Sequence, residues 1–368
     1  MKLLLVITRA EHGGAQSHVL ELLRAFQPRA ELALVVGGEA FLTTAARALG
    51  VKVFVVPNLV HPIRPVQDLR AVLELRAVIR QFQPDLVHAH STKAGLVARA
   101  AAALERTPAI FTAHGWAFAD GINLQRQRVA VLLERVAARY SAAVITVSKA
   151  DELLALKYRL GLGQRVMTIH NGVESAAPRA TPEASAGIPV MVMVARFAEP
   201  KDHMLLLEAL SGVHQPWRLR FVGDGPCEAA VKQRVETLKL EDRVNFLGTR
   251  DDIPDLLADA QVFVLTSKSE GLPISIIEAM RAGLPVIASD VGGVSELVVS
   301  DETGFLVARG DVMALRARLE TVLSDAGLRA RLGAAGRQRF DAHFELEAML
   351  VKTWSVYQIT LQARREIR

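Results

Sequence analysis

The sequence predicts an α/β protein made of two doubly wound parallel sheets. Three observations lead there. Short runs of β-branched and aliphatic residues alternate with helical patterns, the alternation halts once near the middle and then resumes, and 368 residues exceed what one hydrophobic core usually serves. Hydrophobic residues make up 51% and charged residues 23%, which excludes a disordered, collagenous or coiled-coil chain.

In the first half, residues 3–7, 31–36, 52–56, 86–89, 110–112, 144–147 and 166–169 read as strands buried on both faces. Helical patterns, such as 15–26 and 67–82, separate most of them, the mark of β-α-β units. Residues 175–189 (SAAPRATPEASAGIP) hold three prolines and little but small or polar side chains, and read as a linker. Strands resume at 189–195, 219–222, 244–246, 262–265 and 285–288, and the tail from 346 to 368 is helical by pattern. The expected boundary lies at residues 175–188, with domains over 1–178 and 179–351. No repeat of 20–50 residues stands out, which argues against a solenoid.

One cysteine, Cys227, precludes an internal disulfide and suits a reducing compartment. No apolar run approaches the ~18 residues that span a bilayer. Residues 3–7 follow a single Lys and break at Thr8-Arg9, too short for a signal core of about 7–15 residues, so the expected location is cytoplasmic. Residues 1–174 carry 21 Lys+Arg against 13 Asp+Glu, whereas the remainder carries 23 against 26. A basic first half attracts an anionic partner: nucleic acid, a phosphorylated ligand or a lipid surface.

Doubly wound sheets bind ligands beyond the carboxyl ends of their strands, so the residues just after strands carry the argument. After the first strand, Glu11-His12-Gly13-Gly14-Ala15-Gln16-Ser17-His18 places a glycine pair before a helix, where backbone N–H groups can approach an anion. The segment is neither G-x-G-x-x-G nor Walker A, and a tight turn reads equally well. Gly223-Asp224-Gly225-Pro226 is a similar signal. In Arg196-Phe197-Ala198-Glu199-Pro200-Lys201-Asp202-His203, two cations flank a short loop and can clamp a diphosphate, at roughly 1.5–3 kcal/mol per charge-assisted contact. The alternative is two solvated surface cations. The sharpest element is EGLPISIIEAM: Glu270 follows a strand, Pro273 suits a first helical turn, and Glu278 falls near the second turn among Ile276, Ile277, Ala279 and Met280. A carboxylate in so apolar a stretch faces a polar ligand or needs a partner.

With PDLVHAHSTKAG, TAHG, VSKA, IHNGVE, NFLG and DVGGVSELV in the same order, the chain resembles the retaining nucleotide-sugar glycosyltransferases of family 4. Glu270 and Glu278 match that family's E-x7-E motif. The resemblance implies a GT-B fold, two Rossmann-like domains facing each other across a cleft, with the first domain completed by a C-terminal helix at 352–368. It implies that Arg196 and Lys201 bind the donor diphosphate, Glu278 the ribose and Glu270 the transferred sugar. Backbone groups at Leu247 and Gly248 would meet the base, and those of Gly271, Leu272 and Pro273 the phosphates and sugar. Gly13 and Gly14 would lie beside the donor phosphates, and His114 beside the sugar. The catalytic set would be His114, Arg196, Lys201 and Glu270, with a front-face path in which Glu270 is no nucleophile. The paired carboxylates of glycoside hydrolases are a different arrangement.

No cofactor or metal is expected, since Asp251-Asp252 lacks the D-x-D spacer and His88 with His90 is a pair with no third ligand in view. The family's habits favour UDP, and HSTKAG with TAHGWAF resembles members that extend polyprenyl-linked saccharides. Arg128, Arg135 and Arg139, and separately Arg70, Arg76 and Arg80, suit an anionic membrane surface or simply solvated helix faces. Aromatic residues at 5% offer no stacking platform for nucleic acid. The competing readings are a UDP-sugar 2-epimerase-like isomerase and an inactive nucleotide-binding homologue.

Overall fold

The computed structural model describes all residues except 62, 120–123, 161–164, 184–186 and 368. The chain divides into two compact units, Met1–His170 with Met349–Arg368, and Asn171–Ala348.

The first unit runs β1 (Lys2–Ile7), α1 (Gly14–Phe26), β2 (Glu31–Val36), α2 (Phe41–Ala48), β3 (Lys52–Val55), α3 (Pro65–Phe82), β4 (Leu86–His90), α4 (Thr92–Leu104), β5 (Ala109–Ala113), α5 (Leu124–Ala138), β6 (Ala143–Thr146), α6 (Lys149–Lys157) and β7 (Arg165–Thr168). Its seven strands lie in the order β3-β2-β1-β4-β5-β6-β7, every pair parallel. The central strands β1, β4 and β5 are apolar because helices cover both faces, and all five residues of β4 and β5 are buried. β3 and the described side chains of β7 depart from the expectation of burial on both faces. They are edge strands, and β3 leaves Lys52 and Val55 exposed.

The second unit runs β8 (Val190–Val194), α7 (His203–Leu210), β9 (Arg218–Val222), α8 (Glu228–Thr237), β10 (Val244–Phe246), α9 (Ile253–Ala258), β11 (Val262–Leu265), α10 (Ile274–Ala282), β12 (Val286–Ser289), α11 (Val294–Leu297), β13 (Gly304–Val307), α12 (Val312–Ser324) and α13 (Ala326–His343). Its parallel sheet has the order β10-β9-β8-β11-β12-β13. The four-residue β13 is an additional strand that the apolar runs did not mark. It begins at Gly304, where a Cβ would stand 2.1 Å from the Val286 carbonyl oxygen, so the strands approach only because the side chain is missing.

The chain enters the second unit ahead of the proline-rich segment. Asn171 Nδ2 donates to the Leu272 carbonyl at 2.8 Å, and Val173 N–H donates to Phe344 O at 3.1 Å. Ala180 N–H then donates to Ala282 O, and Arg329 Nε donates to Pro182 O at 2.6 Å. The described part of 175–189 is thus pinned to its unit by backbone hydrogen bonds rather than running as a solvated tether, while 184–186 lie outside the described residues. Helix α14 (Leu346–Ile367) contributes to the first unit from Met349 on, with Trp354 packed on Phe26 and the buried Tyr357 bonded to His88. The end of the expected helix, residue 368, also lies outside the described residues. No helix of the described residues is long and apolar enough to cross a membrane.

Candidate active site

In the second unit, three strand ends converge on one loop system. After β8 the chain turns at Ala195 and Phe197, whose N–H groups donate to Val222 and Asp224 of the segment after β9. Gly223 (φ +136°) and Gly225 (φ +151°) permit this contact, since a Cβ on either would lie 2.2–2.4 Å from the carbonyl oxygens of Ala195 or Phe197. Asp202 N–H donates to Thr266 O, Lys268 N–H to Pro200 O, and Lys201 forms an isolated bridge with Ser267. The loop bearing Arg196 and Lys201 is therefore fastened to the loop bearing Glu270.

Of these side chains, Lys201 and Glu270 meet. Lys201 Nζ pairs with Glu270 Oε1, and Ser267 Oγ donates to the same oxygen at 2.5 Å. Arg196 is partly exposed, and its guanidinium has no hydrogen bond or ion pair among the described residues. Pro273 differs from the expectation of a first-turn position. It is the N-cap of α10, with ψ 118°, so its extended backbone ends the loop instead of opening the helix. Beyond it, the N–H groups of Ile274 and Ser275 find no acceptor among the described residues, and the helix dipole points partial positive charge the same way. Asn171 braces the loop through Leu272 O, and Gly292 (φ +53°) lets it close, because a Cβ there would lie 1.8 Å from Glu270 O.

Glu278, one turn into α10, is partly exposed and its carboxylate makes no hydrogen bond among the described residues. Burial raises its pKa from 4.5 to about 7, and nearby Arg281 pulls weakly the other way. After β10, Leu247 N–H donates to Phe221 O, and Gly248 O accepts from Gly223 N–H. Gly248 (φ +66°) is the turn that leaves Leu247 C=O and Gly248 N–H without backbone partners among the described residues. Such a pair suits the edge of a planar base.

In the first unit, Gly13 is the N-cap of α1, whose first turn carries no acidic residue. His114 follows β5 and is partly exposed. His114 Nε2 lies 3.1 Å from His90 Nδ1, the buried last residue of the neighbouring β4. The His18 ring on α1 makes an edge contact with the His114 ring at 4.9 Å. Ring nitrogens of His18, His90 and His114 lie within 4.8 Å of one another, so of the pair His88 and His90 only His90 belongs to this cluster, which His18 of the EHGGAQSH segment and His114 complete. His90 Nδ1 and His114 Nε2 are engaged with each other. His88 alternates with His90 on β4 but points to Tyr357 and Thr112, at 2.6 and 2.8 Å. Burial lowers the His88 pKa to about 3, and burial with neighbouring histidines holds His90 and His114 well below the ordinary value.

The two basic faces fare differently. On α3, Arg76 and Arg80 share the single carboxylate of Glu105, at 2.8 and 3.0 Å, so one of their two charges is offset. On α5 the one acid, Glu134, is buried and turned inward to Arg99, leaving Arg128 and Arg135 exposed beside Val129, Leu132 and Val136; Arg139, expected on the same helical face, is exposed in the turn after the helix ends at Ala138. Arg135 Nε also donates to Tyr158 O.

Comparison with known proteins identifies the family. The family described as Glycosyl transferases group 1 matches residues 179–339, and Glycosyltransferase Family 4 matches residues 12–176. The chain is 31% identical over 292 residues to the UDP-Gal:alpha-D-GlcNAc-diphosphoundecaprenol alpha-1,3-galactosyltransferase of Escherichia coli, covering 75% of this chain and 76% of that one. It is 29% identical over 308 residues to the O-antigen biosynthesis glycosyltransferase WbnH of Escherichia coli, covering 82% and 84%. Crystals of HepE from Anabaena with UDP and glucose hold a chain that superimposes with a TM-score of 0.83 at 24% identity, covering 97% of this chain and 99% of that one. The chain belongs to the group 1, family 4 glycosyltransferases, and it has their GT-B fold. It is a glycosyltransferase.

Proposed function

We propose that this glycosyltransferase moves a sugar from a UDP-sugar to a saccharide carried on a lipid diphosphate, with retention of anomeric configuration and without a metal. The observation that carries the reading is the second unit's constellation. Arg196 without a partner among the described residues, a Lys201–Glu270 pair and the N–H groups opening α10 stand on one fastened loop system, and Glu278 follows with a carboxylate that is unpaired among the described residues. Arg196 and Lys201 stabilise the departing diphosphate as negative charge develops on it, assisted by the N-terminus of α10. Glu278 accepts hydrogen bonds from the ribose, Leu247 and Gly248 read the base, and Gly271, Leu272 and Pro273 line the sugar. Glu270, held by Lys201 and Ser267, orients sugar hydroxyls and forms no covalent bond. His114 contacts the transferred sugar, and Gly13 and Gly14 approach the donor phosphates.

In the chemical step the acceptor oxygen bonds to the anomeric carbon on the face from which the diphosphate leaves. The C–O bond to the diphosphate breaks with its electron pair, and a β-phosphate oxygen takes the acceptor proton. The choice of donor and acceptor rests on relatives: one is named for a UDP-Gal donor and a GlcNAc-diphosphoundecaprenol acceptor, and another was crystallised with UDP. The arginine face of α5 would hold the enzyme at the anionic inner surface of the membrane, at about 1 kcal/mol per basic residue.

The test is incubation with UDP-sugars and a GlcNAc-diphospho-lipid in EDTA, followed by NMR of the product linkage. An α-linked product from an α-linked donor supports the reading. Inversion, a requirement for divalent cation, or interconversion of the UDP-sugar without acceptor contradicts it.

A further inference from the structure

We infer that His90 is a positioning residue that fixes His114 in the tautomer protonated at Nδ1, making His114 a hydrogen-bond donor to substrate and not a base. The inference rests on the proposed contact between His114 and the transferred sugar, but its chemistry stands within the first unit alone.

His90 Nδ1 and His114 Nε2 lie 3.1 Å apart, and two neutral imidazoles can share that contact only if one nitrogen carries hydrogen and the other does not. Both rings are held neutral, since burial and neighbouring histidines depress both. The other nitrogen of His90, Nε2, is buried and has no hydrogen-bond partner among the described residues. His88, its nearest ring at 4.1 Å, cannot serve, because its two nitrogens are engaged by Tyr357 and Thr112.

Two arrangements follow. If His114 donated to His90, the His90 proton would sit on Nε2 as a buried N–H with no acceptor among the described residues, at the cost of desolvating a donor. If His90 donates from Nδ1, its Nε2 is a bare lone pair, the cheaper group to leave unsatisfied. His114 must then carry its single proton on Nδ1. That nitrogen makes no hydrogen bond among the described residues, and the residue is partly exposed, so the proton faces whatever the site receives. A donor at this position suits a hydroxyl or phosphate oxygen of a sugar nucleotide. In water, a free histidine prefers the opposite tautomer, so the protein has imposed this one.

The direct test is nitrogen-15 NMR of histidine-labelled, full-length protein, with His114 assigned through His114→Asn. Proton attachment at Nδ1 of His114 is the expected result, and attachment at Nε2 overturns the inference without any variant of His90. His90→Asn keeps an amide donor and should keep the tautomer, whereas His90→Phe should release His114 to the Nε2-protonated form. In kinetics, His90→Phe should lower kcat/KM roughly two- to tenfold, the worth of one hydrogen bond. Combined with His114→Asn, whose amide donates from the Nδ1 position unaided, His90→Phe should have no further effect. Independent, multiplicative losses in the double variant contradict the coupling. Loss of all nucleotide binding by the wild-type protein would defeat the proposed function while leaving the tautomer measurement standing.

Discussion

At position 278 a carboxyl group shares its turn of α10 with buried Ile276, Ile277, Ala279 and Met280, and burial raises its pKa from 4.5 to about 7. The sign of its effect on stability follows. In the unfolded chain the group ionises above 4.5, whereas the folded protein holds its proton to about 7. Its favourable contribution is therefore complete below 4.5 and is lost as pH rises through 7. Glu278→Gln should raise the Tm of the unliganded protein at pH 8 and leave it unchanged at pH 4, which thermal melts at the two pH values will check. The same substitution should weaken UDP binding at pH 8, where an ionised acceptor is available to the ribose. Wild-type affinity should fall as pH drops below 7, and the variant should lose that slope. A site that costs stability and gains affinity is the usual mark of function. Lys201, paired with Glu270, carries the complementary charge. Lys201→Ala should lower kcat about 10²–10³-fold, as loss of one preorganised charge stabiliser does, with a native circular dichroism spectrum. Near-normal turnover would remove Lys201 from leaving-group stabilisation.

The loops between elements hold the site, and they were the part least legible in the sequence. Strands β1, β2, β4 and β5 were readable because continuous apolar runs leave few alternatives. β13 was not, because four residues beginning with Gly304 give no run to see. Edge strands β3 and β7 carry the same residue types as central ones, and only neighbours decide which face meets water. Pro273 was placed inside a helix by its missing N–H, yet its ψ of 118° makes it a cap, a distinction set by the residue before it being held in a loop. Arg196, Lys201 and Glu270 stand out in the sequence because charged residues follow apolar strands there, and Glu278 because a carboxylate falls in an apolar stretch; the contact the structure adds is Lys201 with Glu270. Asn171 and Gly292 stand within quoted motifs without a role, since each acts through a contact far along the chain, and Ser267, three residues before Glu270, acts through a side-chain hydrogen bond that no spacing announces. Gly292 gives the cleanest test of this scale. Gly292→Ala puts a Cβ 1.8 Å from Glu270 O at a φ of +53°, so the backbone under Glu270 must move. Nucleotide affinity should drop with a lowered Tm, measured by calorimetry on the same sample. Unchanged affinity would show that the Glu270 loop does not form the nucleotide site.

For the whole molecule, the two units divide the chemistry. The second unit carries the cations, the paired carboxylates and the free helix N–H groups. The first carries the histidine cluster, and its α5 presents an arginine face whose only acid is buried. A change on that face, or at Arg139 in the turn after it, should act on membrane partition and leave nucleotide binding alone. Arg128→Glu with Arg139→Glu should lower co-flotation with vesicles containing anionic lipid, while UDP affinity stays at the wild-type value. Equal flotation would make α5 an ordinary solvated helix. The boundary between units also shows how a sequence can mislead at this scale. Residues 175–189 have the composition of a tether, but hydrogen bonds from Ala180 and to Pro182 hold them to the second unit. Backbone groups carry those contacts, and composition does not reveal them.

The central claim is that the second unit is a metal-independent UDP-sugar site. The measurement that meets it most directly is thermal stabilisation of the full-length protein by UDP, GDP, ADP and dTDP in EDTA, with Glu278→Gln alongside. Binding to the folded state adds RT ln(1 + [L]/Kd), about 2.7 kcal/mol at a hundred times Kd. The account predicts a selective rise in Tm with UDP that Glu278→Gln largely abolishes at pH 8. No shift with any nucleotide, or an equal shift in the variant, would contradict it.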